Sequence, residues 1–160
     1  MIANLNITIS PEAFKGLEGS LEEIFNRVKQ PVQNAMADVF HQTVMANFGQ
    51  SGLDRPWEWA DLEPGYAKKV HRTYATLYVD GKLASAVKVE YGENCASVSI
   101  SKDDVVYALI HQFGGQAGKN HAATIPARPY FPIDERGQIM PYTLKSCLEI
   151  AELQLRKELQ

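Results

Sequence analysis

Cysteine is scarce in this sequence, and its two occurrences, Cys95 and Cys147, lie far apart. Neither has a second cysteine at the two-residue spacing that zinc and redox motifs use. The first residues also lack the pattern of a signal peptide, so we expect two free thiols in a reducing compartment. Each should behave as a small buried hydrophobe. The sequence therefore predicts neither a disulfide framework nor a cysteine-based metal site.

Long apolar runs and a dominant sign of charge are absent as well. The longest apolar runs fall well short of the roughly 20 residues that a membrane-spanning helix needs. The net charge is −3 and both signs are spread along the chain, which does not favour a nucleic-acid partner. The one basic cluster, Lys68, Lys69, His71 and Arg72, is typical of a solvated helix face, with contact to DNA as the alternative.

The apolar content is that of one folded domain. Hydrophobic residues make up 45% of 160, which suffices for one core, so we expect a single domain over residues 1–160. Alternating polarity over residues 4–10 predicts a half-buried strand. A capping box at residues 20–23 predicts a long amphipathic helix that ends at Gly49, and Pro31 inside it predicts a kink or restart near Gln30. This helix is longer than a small sheet requires, which favours contact with a neighbouring subunit.

The second half of the chain completes an α+β pattern. Alternation over residues 86–101 predicts a β-hairpin. A short helix that carries the apolar residues from 105 to 110 is expected to follow. It would begin at a capping aspartate, Asp103 or Asp104, and end at the Gly114–Gly115 pair. Pro126 and Pro129 restrict residues 124–131 to an edge strand. Apolar spacings of three and four over residues 141–159 predict a final helix. We therefore expect a small, mostly antiparallel sheet packed against a long N-terminal helix and a C-terminal helix.

The region between the long helix and the hairpin is predicted to be a loop that carries two tryptophans. Trp57 and Trp59 are expected to anchor this loop to the core, and an exposed contact for a partner protein is the alternative. A short helix over residues 64–71 follows. The loop is thus a candidate for either a structural or a recognition role.

The densest cluster of unusual residues runs over residues 105–132. His111 and His121 flank a glycine-rich loop, and Asp134 and Glu135 follow, so His111 could act as a general base oriented by a carboxylate. No nucleophile elbow, HExxH pair or phosphate-binding loop accompanies them. We therefore favour a histidine that interacts with the carbonyls and dipole of a helix C-terminus. The histidines are scattered, so no metal and no other cofactor is predicted.

Arg128 lies in a stretch stiffened by prolines on both sides, Pro126 and Pro129. Such a backbone presents a guanidinium group to a partner with little loss of conformational entropy. Equally, Arg128 could pair with Asp134 or Glu135 inside its own subunit. The sequence leaves both interpretations open.

Two motifs in this region follow each other in an order and at a spacing that resemble those of a known family. YALIHQFGG covers residues 107–115, and IPARPYFP follows at residues 125–132 after a variable loop. Together they resemble the signature of the phage virion morphogenesis, or tail-completion, family typified by phages Mu and P2. FGQSGLDRPWEWADLEPGYAKK, residues 48–69, is similar to that family's Pro-Trp loop. VDGKLASAV, residues 79–87, is similar to its Thr-Gly-x-Leu segment, with Asp80 in place of the usual threonine.

This resemblance implies a non-enzymatic structural protein that completes the tail or joins it to the head. It would form an oligomeric ring, made in the host bacterial cytoplasm and placed in the virion tail or neck. The implied partners are further copies of the chain and neighbouring tail or connector proteins. A ring needs two different patches that meet, for which the edge strand and the loop over residues 114–124 are candidates. The expected interface residues are Trp57, His111, Gln112, Phe113, Gly114, Gly115, Arg128, Pro129 and Tyr130.

Overall fold

The computed structural model describes residues 18–49, 54–69, 71, 77, 81–101 and 105–160. The strand predicted over residues 4–10 and the aspartates predicted to cap the short helix lie outside these residues. The described helices are α1 (Glu18–Asn47), α2 (Pro64–Lys69), α3 (Lys82–Ser85), α4 (Ala108–Phe113) and α5 (Pro141–Glu158). The described strands are β1 (Val87–Tyr91), β2 (Ala96–Ile100), β3 (Gly115–Ala117) and β4 (Ala123–Ile125). The expected α+β class is confirmed.

The two long helices, α1 and α5, pack against each other. Val32 and Met36 of α1 are buried against Cys147 and Ala151 of α5. These spacings of four place each pair on one face of its helix. Burial also raises the pKa of the Cys147 thiol to about 11, as expected for a small apolar residue.

Helix α1 differs from the prediction at its start and in its middle. It already includes Glu18, so Ser20 lies inside the helix rather than at its cap. It also continues as one helix through Pro31. A proline removes one backbone hydrogen bond, but the buried Val28 and Val32 on either side keep the helix docked. Tertiary packing therefore outweighs the local cost of the proline.

The hairpin predicted over residues 86–101 is confirmed. Strands β1 and β2 are antiparallel, with Tyr91 opposite Ala96 and Gly92 N–H donating to the Cys95 carbonyl at 2.8 Å. The prediction that Cys95 is buried is wrong, because this residue lies exposed in the turn. Val87 of β1 is buried, and Val98 and Ile100 of β2 pack beside it. One face of the hairpin therefore covers the main core.

The expected edge strand over residues 124–131 is wrong in extent. The strand β4 ends at Ile125, immediately before Pro126, because a proline cannot donate to a ladder. It pairs with β3 inside what we expected to be a flexible glycine loop, with Gln116 opposite Thr124. The described residues therefore form two separate two-stranded sheets instead of one. Residues 126–132, which we call the proline segment, run inward without strand pairing.

Helix α4 begins later than predicted, at Ala108 instead of near residue 105. Val105 precedes it as a buried core residue, and its N–H donates to the Ser101 carbonyl at 3.1 Å. Val106 is 84% exposed. The apolar run over residues 105–110 is thus divided between the core and the surface by a turn.

Candidate assembly site

Gly114 ends α4 and allows the proline segment to approach. Its φ of 72° and ψ of 178° belong to a backbone region that residues other than glycine rarely adopt. Its N–H donates to the Ile110 carbonyl at 2.8 Å. A Cβ at this position would lie 2.9 Å from the Ala127 nitrogen and 3.1 Å from the Ile125 oxygen. Only glycine fits this turn without a shift of the neighbouring backbone.

Gln112 binds the proline segment to α4 through its side chain. Its Oε1 accepts hydrogen bonds from the N–H groups of Tyr130 and Phe131, both at 3.0 Å. Its Nε2 donates to the Phe131 carbonyl at 3.4 Å. In addition, Arg128 N–H donates to the His111 carbonyl at 2.6 Å. The HQFGG and IPARPYFP motifs are therefore two halves of one hydrogen-bonded junction.

Tyr130 is the centre of this junction. It is only 1% exposed, stacks on Phe48 with ring centroids 4.8 Å apart, and donates its hydroxyl to the Ala108 carbonyl at 3.1 Å. Burial raises the pKa of this hydroxyl well above its usual value. The Tyr130 carbonyl accepts from Asn47 Nδ2 at 3.1 Å, and the Pro129 carbonyl accepts from Trp59 Nε1 at 2.9 Å. The end of α1, the tryptophan loop and α4 thus all meet at the proline segment.

Trp57 and Trp59 differ in burial. Trp59 is buried as an anchor, while Trp57 is 39% exposed and remains available to a partner. Arg55 lies over the Trp59 ring at 3.6 Å from its centroid, and its guanidinium donates to the Asn47 carbonyl. The loop is therefore fixed at Trp59 and open at Trp57.

The contacts of Arg128 lie within its own subunit. The side chain is buried, and its Nη2 donates to the carbonyls of Ala60 and Asp61 at 3.1 and 3.4 Å. Burial lowers the pKa of the guanidinium. The Asp134 carboxylate, one of its expected partners, instead accepts from the N–H groups of Arg136 and Gln138. Arg128 therefore links the proline segment to the tryptophan loop through backbone carbonyls.

His111 lies in the last turn of α4, at the C-terminal end of the helix where it was expected. Burial, and then the nearby charge of Arg128, lower the pKa of its imidazole. Its Nδ1 is buried and has no hydrogen-bond partner in the described part of the chain, and its ring meets Tyr107 edge-on at 5.6 Å between centroids. His121, its suggested catalytic partner, lies exposed in the turn between β3 and β4. Among the described residues, no group of three or more His, Cys, Asp or Glu could hold a metal ion.

Sequence reasoning missed a polar connection that holds the start of α5. The Asp54 carboxylate accepts hydrogen bonds from the Thr143 N–H and hydroxyl, both at 2.6 Å. Asn47 Oδ1 in turn accepts from the Asp54 N–H at 3.2 Å. Asp54 thereby acts as a helix cap from a distant part of the chain. Nothing in the sequence near either residue signals this pairing.

Apolar side chains remain exposed on the outer side of α4. Leu109 and Phe113 lie four residues apart on α4, and Val106 is exposed in the turn that precedes the helix. We call these three residues the α4 stripe, of which Phe113 is 57% exposed. The inner side of the same helix carries the buried Ala108 and Gln112. A second set of exposed apolar residues follows one side of α5, namely Leu144, Leu148 and Leu155, with Leu159 at the C-cap; Tyr142 and Leu153 are exposed on the opposite side.

The basic cluster is described only in part. Lys68 and Lys69 are exposed in the last turn of α2, His71 is exposed beyond it, and Arg72 lies outside the described residues. None of the described helices combines the length and apolarity needed to cross a bilayer.

Comparison with known proteins shows to which protein family this chain belongs. The chain matches the phage virion morphogenesis family over residues 13–142, and it belongs to that family. It is 31% identical over 110 residues to Mu-like prophage FluMu G protein 2 of Haemophilus influenzae, a match covering 67% of this chain and 70% of that protein. It is 36% identical over 63 residues to putative capsid assembly protein G of Escherichia phage Mu, covering 39% and 38%. No solved structure matches the chain significantly.

Proposed function

We propose that this chain completes the phage tail and joins it to the head as a ring of identical subunits, and that it catalyses no reaction. Membership of the phage virion morphogenesis family supports a structural role in building the particle. The name of the phage Mu relative refers to capsid assembly, so a decisive test must separate a role in the head from one in the tail.

The observation that carries the proposal is the two-sided character of α4. Its inner side is fixed to the proline segment by Gln112 and Tyr130, whereas its outer side presents the α4 stripe to solvent. A rigid support reduces the entropy that an apolar surface loses when it docks. This arrangement suits a contact that must form repeatedly and with the same geometry.

We assign the expected interface residues to two groups. Phe113, Gly115 and Trp57 are exposed and would contact a neighbour directly. The second group would support that contact from beneath, since its members form or border the junction: His111, Gln112, Gly114, Arg128, Pro129 and Tyr130.

The neighbour that we propose is another copy of the chain. A ring needs a heterologous interface, in which one patch meets a different patch on the next copy. The exposed leucines of α5 provide a second apolar surface on a different helix from the α4 stripe. Burying the exposed part of one phenylalanine stabilises an interface by about 1–2 kcal/mol, so losing Phe113 should weaken association about tenfold.

The solution test compares Phe113→Ser with Leu153→Ser. Leu153 is 61% exposed, so it is matched in exposure, but it lies on the opposite side of α5 from Leu144, Leu148 and Leu155. Sedimentation or light scattering over a range of concentrations should show that Phe113→Ser self-associates more weakly than the unmodified chain. Leu153→Ser should self-associate as strongly as the unmodified chain. Equal association of both variants and the unmodified chain would contradict the assignment of α4.

The biological test removes the gene by a stop codon and examines the particles by electron microscopy. Tail completion predicts full heads and separate tails that fail to join. Absence of normal heads would favour a capsid role instead and would contradict the proposed place in the particle.

A further inference from the structure

The junction between α4 and the proline segment joins two residues whose side chains carry positive charge when protonated, the half-buried His111 and the buried Arg128. Arg128 is buried, with 7% of its surface exposed, and its backbone N–H donates to the His111 carbonyl at 2.6 Å. His111 Nδ1 and Arg128 Nε are both buried without a hydrogen-bond partner among the residues that the structure describes. Unsatisfied buried polar atoms are uncommon in folded proteins and call for an explanation.

The groups that surround His111 offer little compensation for a second positive charge. From its own helix, Tyr107 contributes the edge of an aromatic ring, and from the proline segment Arg128 contributes a permanent cation. Tyr66 of α2 interacts electrostatically with the Arg128 guanidinium, whose pKa it raises, and not with the imidazole of His111. The Asp134 carboxylate, which follows the proline segment, is occupied by N–H groups of its own turn.

We propose that the His111–Arg128 junction is an acid-sensitive latch, closed when the imidazole is neutral and loosened when it takes up a proton. A protonated His111 would lie beside Arg128 with its added N–H buried and unpaired, a costly arrangement. The same junction fixes α4, so opening the latch would release the helix that carries the α4 stripe. This inference concerns the fold itself and holds whether or not the stripe contacts a second copy.

The direction of the pH dependence follows from the two states of the imidazole. In the unfolded chain a histidine has a pKa of about 6.5. In the folded chain, burial and Arg128 lower the pKa of His111, so the folded state binds fewer protons. Stability is therefore intact above pH 6.5 and is lost as pH falls from there toward the folded pKa. Across that range the folding equilibrium constant should drop by up to about tenfold per pH unit.

The test measures urea unfolding at pH 7.5, 6.5 and 5.5 for the unmodified protein, His111→Gln and His121→Gln. His121 is exposed and serves as the matched control. The unmodified protein and His121→Gln should lose stability in parallel below pH 6.5, whereas His111→Gln should lose distinctly less. An equal loss in His111→Gln would overturn the proposal.

Two measurements on the unmodified protein keep the proposal testable if His111→Gln fails to fold. An NMR titration of the histidine rings should place the His111 pKa below 6.5, and a value at or above 6.5 would overturn the latch. As the pH is lowered, protection from amide exchange should fall at the Arg128 N–H, which bonds to the His111 carbonyl, before it falls in the α1–α5 core. A simultaneous loss of protection everywhere would mean global unfolding and would also overturn it.

Discussion

The substitution Gly114→Ala tests the central junction with the smallest possible change. The new methyl group would meet two backbone atoms, the Ala127 nitrogen at 2.9 Å and the Ile125 oxygen at 3.1 Å. Backbone strain in this region costs about 1–3 kcal/mol for a residue other than glycine. Crowding in a packed interior adds about 1–3 kcal/mol. We therefore expect the free energy of unfolding to fall by about 2–6 kcal/mol, a large part of the stability of an ordinary domain.

Gly118→Ala is a matched control for this change. Gly118 has φ 79° and ψ −178°, nearly the same conformation as Gly114, but among the described residues a methyl group there would meet only the Ala123 Cβ at 3.9 Å. It should therefore lose stability through backbone strain alone. Urea unfolding followed by circular dichroism measures both variants. If Gly114→Ala were no less stable than Gly118→Ala, the close approach of the proline segment to α4 would be refuted.

Two further substitutions test the side chains that connect distant segments. Gln112→Leu should lower the free energy of unfolding by about 2–5 kcal/mol, because it leaves the N–H groups of Tyr130 and Phe131 buried and unpaired. Gln116→Leu, at an exposed site, should change it by less than about 0.5 kcal/mol in the same urea titration. Asp54→Ala should cost about 1–2 kcal/mol as the loss of a helix cap, and amide exchange should accelerate first at the start of α5. Unchanged exchange there would contradict the capping role.

The features that the sequence predicted correctly are those specified by nearby residues. Alternating polarity placed the hairpin of β1 and β2, and spacings of three and four residues placed α5, within a residue or two. The same kind of signal is too short in β3 and β4, which have three residues each. A pattern with a period of two needs more residues than that before it can be distinguished from a loop.

The candidate site depended on contacts between residues far apart in the chain, which the sequence does not display. The prolines beside Arg128 indicated a stiff backbone, but the burial of its side chain depends on the carbonyls of Ala60 and Asp61. The motif that contains Gln112 supported the family assignment without revealing that this side chain binds the proline segment. Cys95 was misplaced because residues at a turn are exposed whatever their apolar preference.

The most direct test of the central claim, that the outer side of α4 is an assembly contact in the virion, is complementation of a phage that lacks this gene. The complementing chain carries either Phe113→Ser or Leu153→Ser, and circular dichroism first establishes that both purified variants fold. Electron microscopy should then reveal unjoined heads and tails with Phe113→Ser and complete particles with Leu153→Ser. Complete, infectious particles at normal yield from the folded Phe113→Ser variant would contradict the claim.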